Sequence, residues 1–208
     1  MSHEKVHFKI GKIHIVIFLA VFGAIVSGIF GYMEYNKCCA PVYTTYFGEQ
    51  LVGFRADLRE AQKVDVLPSE DVLYSQIVRP PTTRGPNGQI IFRRSLTNVT
   101  IVFKEVSRDK MGWYTVQVSE IISKLTALYK GKYGVDLNFG IAQVDSYGEV
   151  NGTNAAPIIL LVHPEIAEGT YVEADNDRNV ITISGGDSLK DFDRATVKFL
   201  MVALGIEV

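Results

Sequence analysis

Residues 157–163 read PIILLVH, a run that is apolar up to its last residue. A strand without polar alternation is buried on both faces, so this one belongs in the middle of a sheet. Downstream, residues 170–174 and 179–184 flank Asp175-Asn176-Asp177-Arg178. Asp, Asn and a following polar residue favour a turn, so the pair reads as a hairpin. Then Ser188 is placed to cap a last helix, with Asp191 at the capping-box position. Leu189, Phe192, Ala195, Phe199, Val202 and Ala203 make its inner face, and Gly205 ends it.

Upstream, residues 135–144 read as a strand, followed by the polar loop DSYGEVNGTNAA at 145–156. Residues 113–131 carry Val118, Ile121, Ile122, Leu125, Leu128 and Tyr129 at helical spacing. Lys124, Lys130 and Lys132 fall off that face or near the helix end, where cations suit the negative pole, and Gly131 or Gly134 supplies the stop. VTIVF at 99–103 reads as a buried strand. Before it come a possible strand at 51–56, one or two helical turns at 57–63 and an extended piece at 64–67. Ser69 then caps a helix whose Val72, Leu73, Ile77 and Val78 share a side and which Pro80-Pro81 ends. TTRGPNG at 82–88 is rich in turn formers, and Ile90-Ile91-Phe92 follows. Strands alternating with at least two long helices predict an α/β (α+β) two-layer sandwich with a mixed sheet and helices mainly on one face. This domain is expected to span 49–208, after a connector at 34–48.

The chain has 208 residues, so the part after the connector is the size of one domain. A hydrophobic share of 47% predicts a packed core and not a disordered stalk. Formal net charge is −2 and the cations are spread along the chain, which argues against nucleic acid as a partner.

IHIVIFLAVFGAIVSGIFGYM at 13–33 contains no acid, lysine or arginine. As a helix it reaches about 31 Å, enough to cross a bilayer's hydrocarbon core. Lys5, Lys9 and Lys12 precede it, with Glu4 the one acid there. Short basic flanks stay inside, so a cytoplasmic tail at 1–12, a signal-anchor at 13–33 and an extracytoplasmic domain are expected. A cleaved signal peptide would have a shorter apolar core and a small-residue cleavage site. Within the stretch, Gly23, Ser27 and Gly31 share one helix face, a small-xxx-small pattern that lets two helices approach in lipid.

Cys38 and Cys39 are adjacent and are the sole cysteines. Neighbouring thiols neither staple a domain nor match the usual metal spacing, so an intermolecular disulfide in a homodimer is the expectation, with idle thiols the alternative. Asn98 and Asn151 begin N-x-T sequons and are glycosylation candidates if the domain lies outside.

Motifs with chemistry are weak. His163, Glu165 and Glu168 follow the central strand, where functional groups gather, but no H-x-x-x-H accompanies them. The preferred reading is a loop histidine beside solvated acids. Ser184-Gly185-Gly186-Asp187-Ser188 runs into a helix start and has backbone N–H groups for an anion, yet Asp187 opposes one. Strand-to-helix turn chemistry is the better account. G-x-S-x-G is absent, both thiols precede the domain, and Asp175 and Asp177 fit a turn better than a calcium loop. No cofactor is expected and an enzyme is the less favoured class. The expected function is a membrane-anchored envelope protein whose outer domain acts as a structural or protein-interaction module. The alternative is a small-ligand or glycan-binding domain using His163, Glu165, Glu168, Gly185 and Gly186; an unrecognised hydrolase ranks last.

Overall fold

The structure, a computed structural model, describes residues 41–206 apart from 48, 49, 80, 81, 93–95, 109 and 149, together with Ile25, Ser27 and Gly28. The chain divides into two units, Met1–Ala40 and Pro41–Val208. In the first, the three described residues are helical and exposed. The rest of the stretch 13–33, including Gly23 and Gly31, and both Cys38 and Cys39 lie outside the described residues. Among the described residues no helix is long and apolar enough to cross a membrane.

The second unit is built on a six-stranded mixed sheet. In chain order its strands are β3 (Asp65–Leu67), β6 (Asn98–Lys104), β7 (Asn138–Val144), β8 (Ile158–Val162), β9 (Thr170–Asp175) and β10 (Val180–Gly185). The spatial order is β3-β9-β10-β8-β6-β7. Strands β10, β8, β6 and β7 run parallel, and β9 returns antiparallel to β10 and pairs in parallel with β3. The PIILLVH run therefore supplies an interior strand, as its missing alternation requires. The hairpin at 170–185 forms with Asp175 opposite Val180.

Four helices pack on the sheet: α1 (Leu58–Ala61), α2 (Glu70–Ile77), α3 (Met111–Leu128) and α4 (Leu189–Leu204). Val99, Ile101, Ile159, Leu161, Ile181 and Ile183 face the large core shared with them. Val102, Leu160, Val162 and Val180 point to the other face, where Tyr147, Val150 and Ala167 from loops cover them. This is the mixed α/β sandwich that the element order predicted, with loops in place of a second helix layer. Tyr129 ties α2 to α3: its hydroxyl donates to Ile77 O at 2.6 Å and accepts from Arg79 N–H at 3.1 Å.

Several local expectations are corrected. The connector at 34–48 contains β1 (Tyr43–Phe47), which pairs antiparallel with β2 (Gln50–Phe54). The turn-rich stretch at 82–88 begins with β4 (Thr82–Arg84), which pairs with β5 (Ile90–Phe92) around a left-handed Gly88 at φ 75°. Of the two expected stops, the long helix passes Gly131 and takes Gly134. It continues through a π turn, Tyr129–Tyr133, to a left-handed Gly134. Lys124 is buried, not off the packed face: its stem lies inside and its ammonium meets Glu120 at 2.7 Å and the Phe54 ring at 5.2 Å. A long aliphatic stem allows that placement. Helix α4 is buried beyond its expected face, with Val197, Lys198, Leu200, Met201 and Leu204 also inside, because it lies against the sheet and the other three helices.

Candidate functional site

The C-terminal ends of β6, β8 and β10 lie side by side, the part of a parallel sheet where ligands usually bind. Val162 is in register with Ser184, so His163 falls beside Gly185. His163 is fully buried, and this corrects the expectation of a loop histidine. Its ring stacks on Trp113 at 4.9 Å between centroids and meets Tyr114 and Phe192 at 5.3 and 6.3 Å. Nδ1 accepts the Glu165 N–H at 3.1 Å, which leaves the neutral ring's proton on Nε2, facing the Lys110 backbone without a hydrogen bond of good geometry. Burial pushes the imidazole's pKa below its ordinary value. The ring is therefore neutral and acts as an aromatic core group.

Glu165 is exposed and points the other way. Its carboxylate accepts from Ser107 Oγ at 2.8 Å and meets Lys110 Nζ at 2.6 Å. Lys110 and Ser107 hold its pKa down to about 2. It is an ionised acceptor at neutral pH and carries no proton to give. The contact fastens the loop after β8 to the loop before α3. Glu168 is exposed, and the next residue, Gly169, accepts a hydrogen bond from Gly186 N–H at 3.1 Å and another from Ser184 Oγ.

Gly185 and Gly186 are filled in by neighbours. A Cβ on Gly185 would meet Pro164 Cδ at 2.8 Å and Phe192 Cγ at 3.0 Å. Gly186 has φ +59° and a Cβ there would strike Thr170 Oγ1. Ser188 caps α4 by accepting from Asp191 N–H and donating to the Asp191 carboxylate at 2.6 Å. These groups serve the strand-to-helix turn. The structure thus brings His163, Gly185 and Gly186 together through Pro164 and Phe192, with Glu165 and Glu168 on the loop above.

A cleft of about 270 Å³ that no sequence pattern marks is lined by Glu60, Lys63, Val64, Thr170, Asp191 and Arg194. Arg194 joins its two carboxylates, with Glu60 at 2.6 Å and Asp191 at 3.0 Å, and Lys190 adds a contact to Glu60 at 3.2 Å. Arg194 and Lys190 lower the Glu60 pKa. Its members come from three separate stretches, so no spacing reveals it. Its charged groups neutralise one another.

Two surfaces remain open. Strand β7, NFGIAQV, is at one side of the sheet and has neither charge nor proline. Asn138 N–H donates to Thr97 O at 2.9 Å, so residues 138, 140, 142 and 144 turn their backbone groups toward β6. Phe139, Ile141 and Gln143 turn theirs outward, where no described strand pairs with them. Ile141 is 57% exposed. The opposite edge, β3, has three residues and is followed by Pro68. The second surface is the outer face of the β1–β2 hairpin. Asn98 and Asn151 are both exposed, at the start of β6 and in the loop before β8. Among the described residues no group of three His, Cys, Asp or Glu side chains gathers as a metal site. Comparison of the chain with protein-family models, with curated proteins and with solved structures finds no match.

Proposed function

We propose that the protein is a single-pass, membrane-anchored envelope component, with its N-terminus in the cytoplasm, whose outer domain binds other envelope proteins as an assembly or interaction module. One observation supports it above the others: the seven-residue, uncharged β7 edge with outward backbone groups at Phe139, Ile141 and Gln143. Exposed edges template pairing with another chain, and soluble domains usually blunt them with charge, proline or short length. β3 is blunted in that way and β7 is not. An added strand from a partner would take its affinity from main-chain hydrogen bonds and its specificity from pockets beside Ile141 and Gln143. The lysines before residue 13 support the orientation.

A photo-crosslinking residue at Gln143, on the open edge, tests the reading in native membranes, with Val66 on the opposite edge as control. Adducts of defined mass from position 143, lost when Ile141→Pro removes an outward N–H, support it. Yields at 143 equal to those at 66 refute it.

A further inference from the structure

The β1–β2 hairpin presents a face whose chemistry is reversed from that of an ordinary half-buried sheet. Residues directly opposed across an antiparallel pair point to the same side. Tyr46 opposes Leu51 and Thr44 opposes Gly53, which places these four on one face, and Val42, in the bend just before β1, is exposed as well. On the opposite face Phe54 is fully buried and Val52 lies against the core, while Tyr43 beside Phe54 is 39% exposed. Beyond Phe54, Arg55 Nε meets the Asp193 carboxylate at 3.2 Å, which fixes the hairpin's base to α4. A hairpin held in this way would normally show polar side chains outward. Here Val42 is 67%, Tyr46 73% and Leu51 62% exposed, and Thr44 between them is exposed and uncharged. Between residues 41 and 54 the sole charged side chain is Glu49.

We propose that this face docks on a lipid surface, the headgroup layer of a neutral bilayer. The inference rests on the membrane-anchored reading above. Two further facts point to lipid. The face combines aliphatic side chains with Tyr46 and Thr44, whose hydroxyls keep a wet end, the combination favoured where hydrocarbon meets headgroups. The chain also limits the distance. Seven residues, 34–40, separate the apolar stretch 13–33 from Pro41, and fully extended they reach about 25 Å. The hairpin is thus covalently tied near whatever bilayer that stretch enters. An uncharged face with aromatic and aliphatic anchors is matched to neutral lipid and draws no added affinity from anionic headgroups.

The test uses the full chain in phosphatidylcholine vesicles, with Tyr46→Trp or Leu51→Trp as reporters and Asp177→Trp, in the β9–β10 turn, as control. Native Trp113 contributes equally to all three. Vesicles made with brominated phosphatidylcholine should quench the added emission at 46 and at 51 by about half, since tryptophan at an interface reaches the upper acyl chains, and leave that at 177 unchanged. Replacing a fifth of the lipid with an anionic one should alter neither. Emission at 46 and 51 that is red and unquenched means the face meets water and overturns the proposal. Emission that is blue but unquenched means protein covers it, either a second copy or this chain's own first forty residues, and also overturns it. Flotation of the vesicles separates the two readings. Floating protein with an unquenched residue 46 removes the hairpin contact alone, whereas protein that does not float removes the anchor and the contact together.

Discussion

Of the four histidines, His3, His7 and His14 precede residue 41, so His163 is the one histidine of the second unit. That makes its environment measurable. In the isolated 41–208 segment, His163→Leu removes a buried N–H that meets the Lys110 backbone without good hydrogen-bond geometry, and a donor left unsatisfied there costs up to about 1–3 kcal/mol. It also loses ring stacking on Trp113, about 0.5–1.5 kcal/mol. The bond from Glu165 N–H is lost as well, but Glu165 is exposed and water takes its place. The balance at pH 8 is about 0–2 kcal/mol in favour of the variant. The pH dependence has a definite sign. Burial lowers the folded pKa below the unfolded value, so the unfolded chain binds the proton better. His163's contribution is intact above about pH 6.5 and is lost as pH falls toward the folded pKa, at up to about 1.4 kcal/mol per pH unit. Glu165 does not titrate in that window, being held at about 2. Urea unfolding followed by Trp113 fluorescence at pH 8, 7, 6 and 5 should show the wild type weakening below pH 6.5 and the variant nearly flat. A variant more than about 2 kcal/mol weaker at pH 8, with a flat wild-type profile, would show that the imidazole is hydrogen-bonded inside and would refute the argument.

Four other outcomes are expected. Leu125→Ala, in the fully buried row of α3, should cost about 2–5 kcal/mol by urea unfolding. Glu165→Gln should lower stability at pH 7 modestly and flatten the acid limb: the carboxyl's folded pKa is lowered to about 2, so the contribution present above about 4.5 and lost below it is the one the variant lacks at every pH, as circular dichroism against pH will show. Gly186→Ala forces an L residue into φ +59° against Thr170 and should cost at least about 1–3 kcal/mol, read as a lower melting temperature. In sealed cells or spheroplasts, added protease should cut a C-terminal tag and spare an N-terminal one; the reverse would overturn the topology.

The parts of the fold legible in the sequence are those where one physical cue dominates. Residues 157–163 declare an interior strand because they lack alternation. The 170–185 hairpin follows from its Asp-Asn-Asp turn, and α4 from Ser188 and Asp191 at one end and Gly205 at the other. Burial of helices was less legible. Lys124 and Lys198 look solvated by type, yet both are inside, because each ammonium finds a carboxylate at the boundary, Glu120 and Glu70. Partners four residues away on the helix can be read from spacing; a partner 128 residues away cannot. The short hairpins are hidden for a related reason, since Thr82–Arg84 and Tyr43–Phe47 are too brief to show a period and are strands through their partners.

The site residues divide along the same line. That Gly185-Gly186 would serve a strand-to-helix turn was readable from Ser188 and Asp187, but the reason two glycines are needed is Pro164 and Thr170 packing on them from the neighbouring loop. His163 looked like a solvated loop residue because Pro164 and two acids follow it. Its burial is set by Trp113, Tyr114 and Phe192, which arrive from two helices. The open surfaces were invisible for the opposite reason. NFGIAQV reads as ordinary strand material and most of VYTTYFGEQLV falls in the expected connector, and a strand's composition carries no record of whether it lies inside a sheet or at its rim. What distinguishes β7 from β8 is the absence of a neighbour on one side, and what distinguishes the β1–β2 face is that its apolar residues point away from the core. Both are properties of the assembled sheet. They matter because apolar side chains and free backbone groups kept in water weaken a soluble domain's resistance to association. A domain fixed beside a membrane and joined to neighbours would have both surfaces covered, and that makes their exposure in the lone chain intelligible.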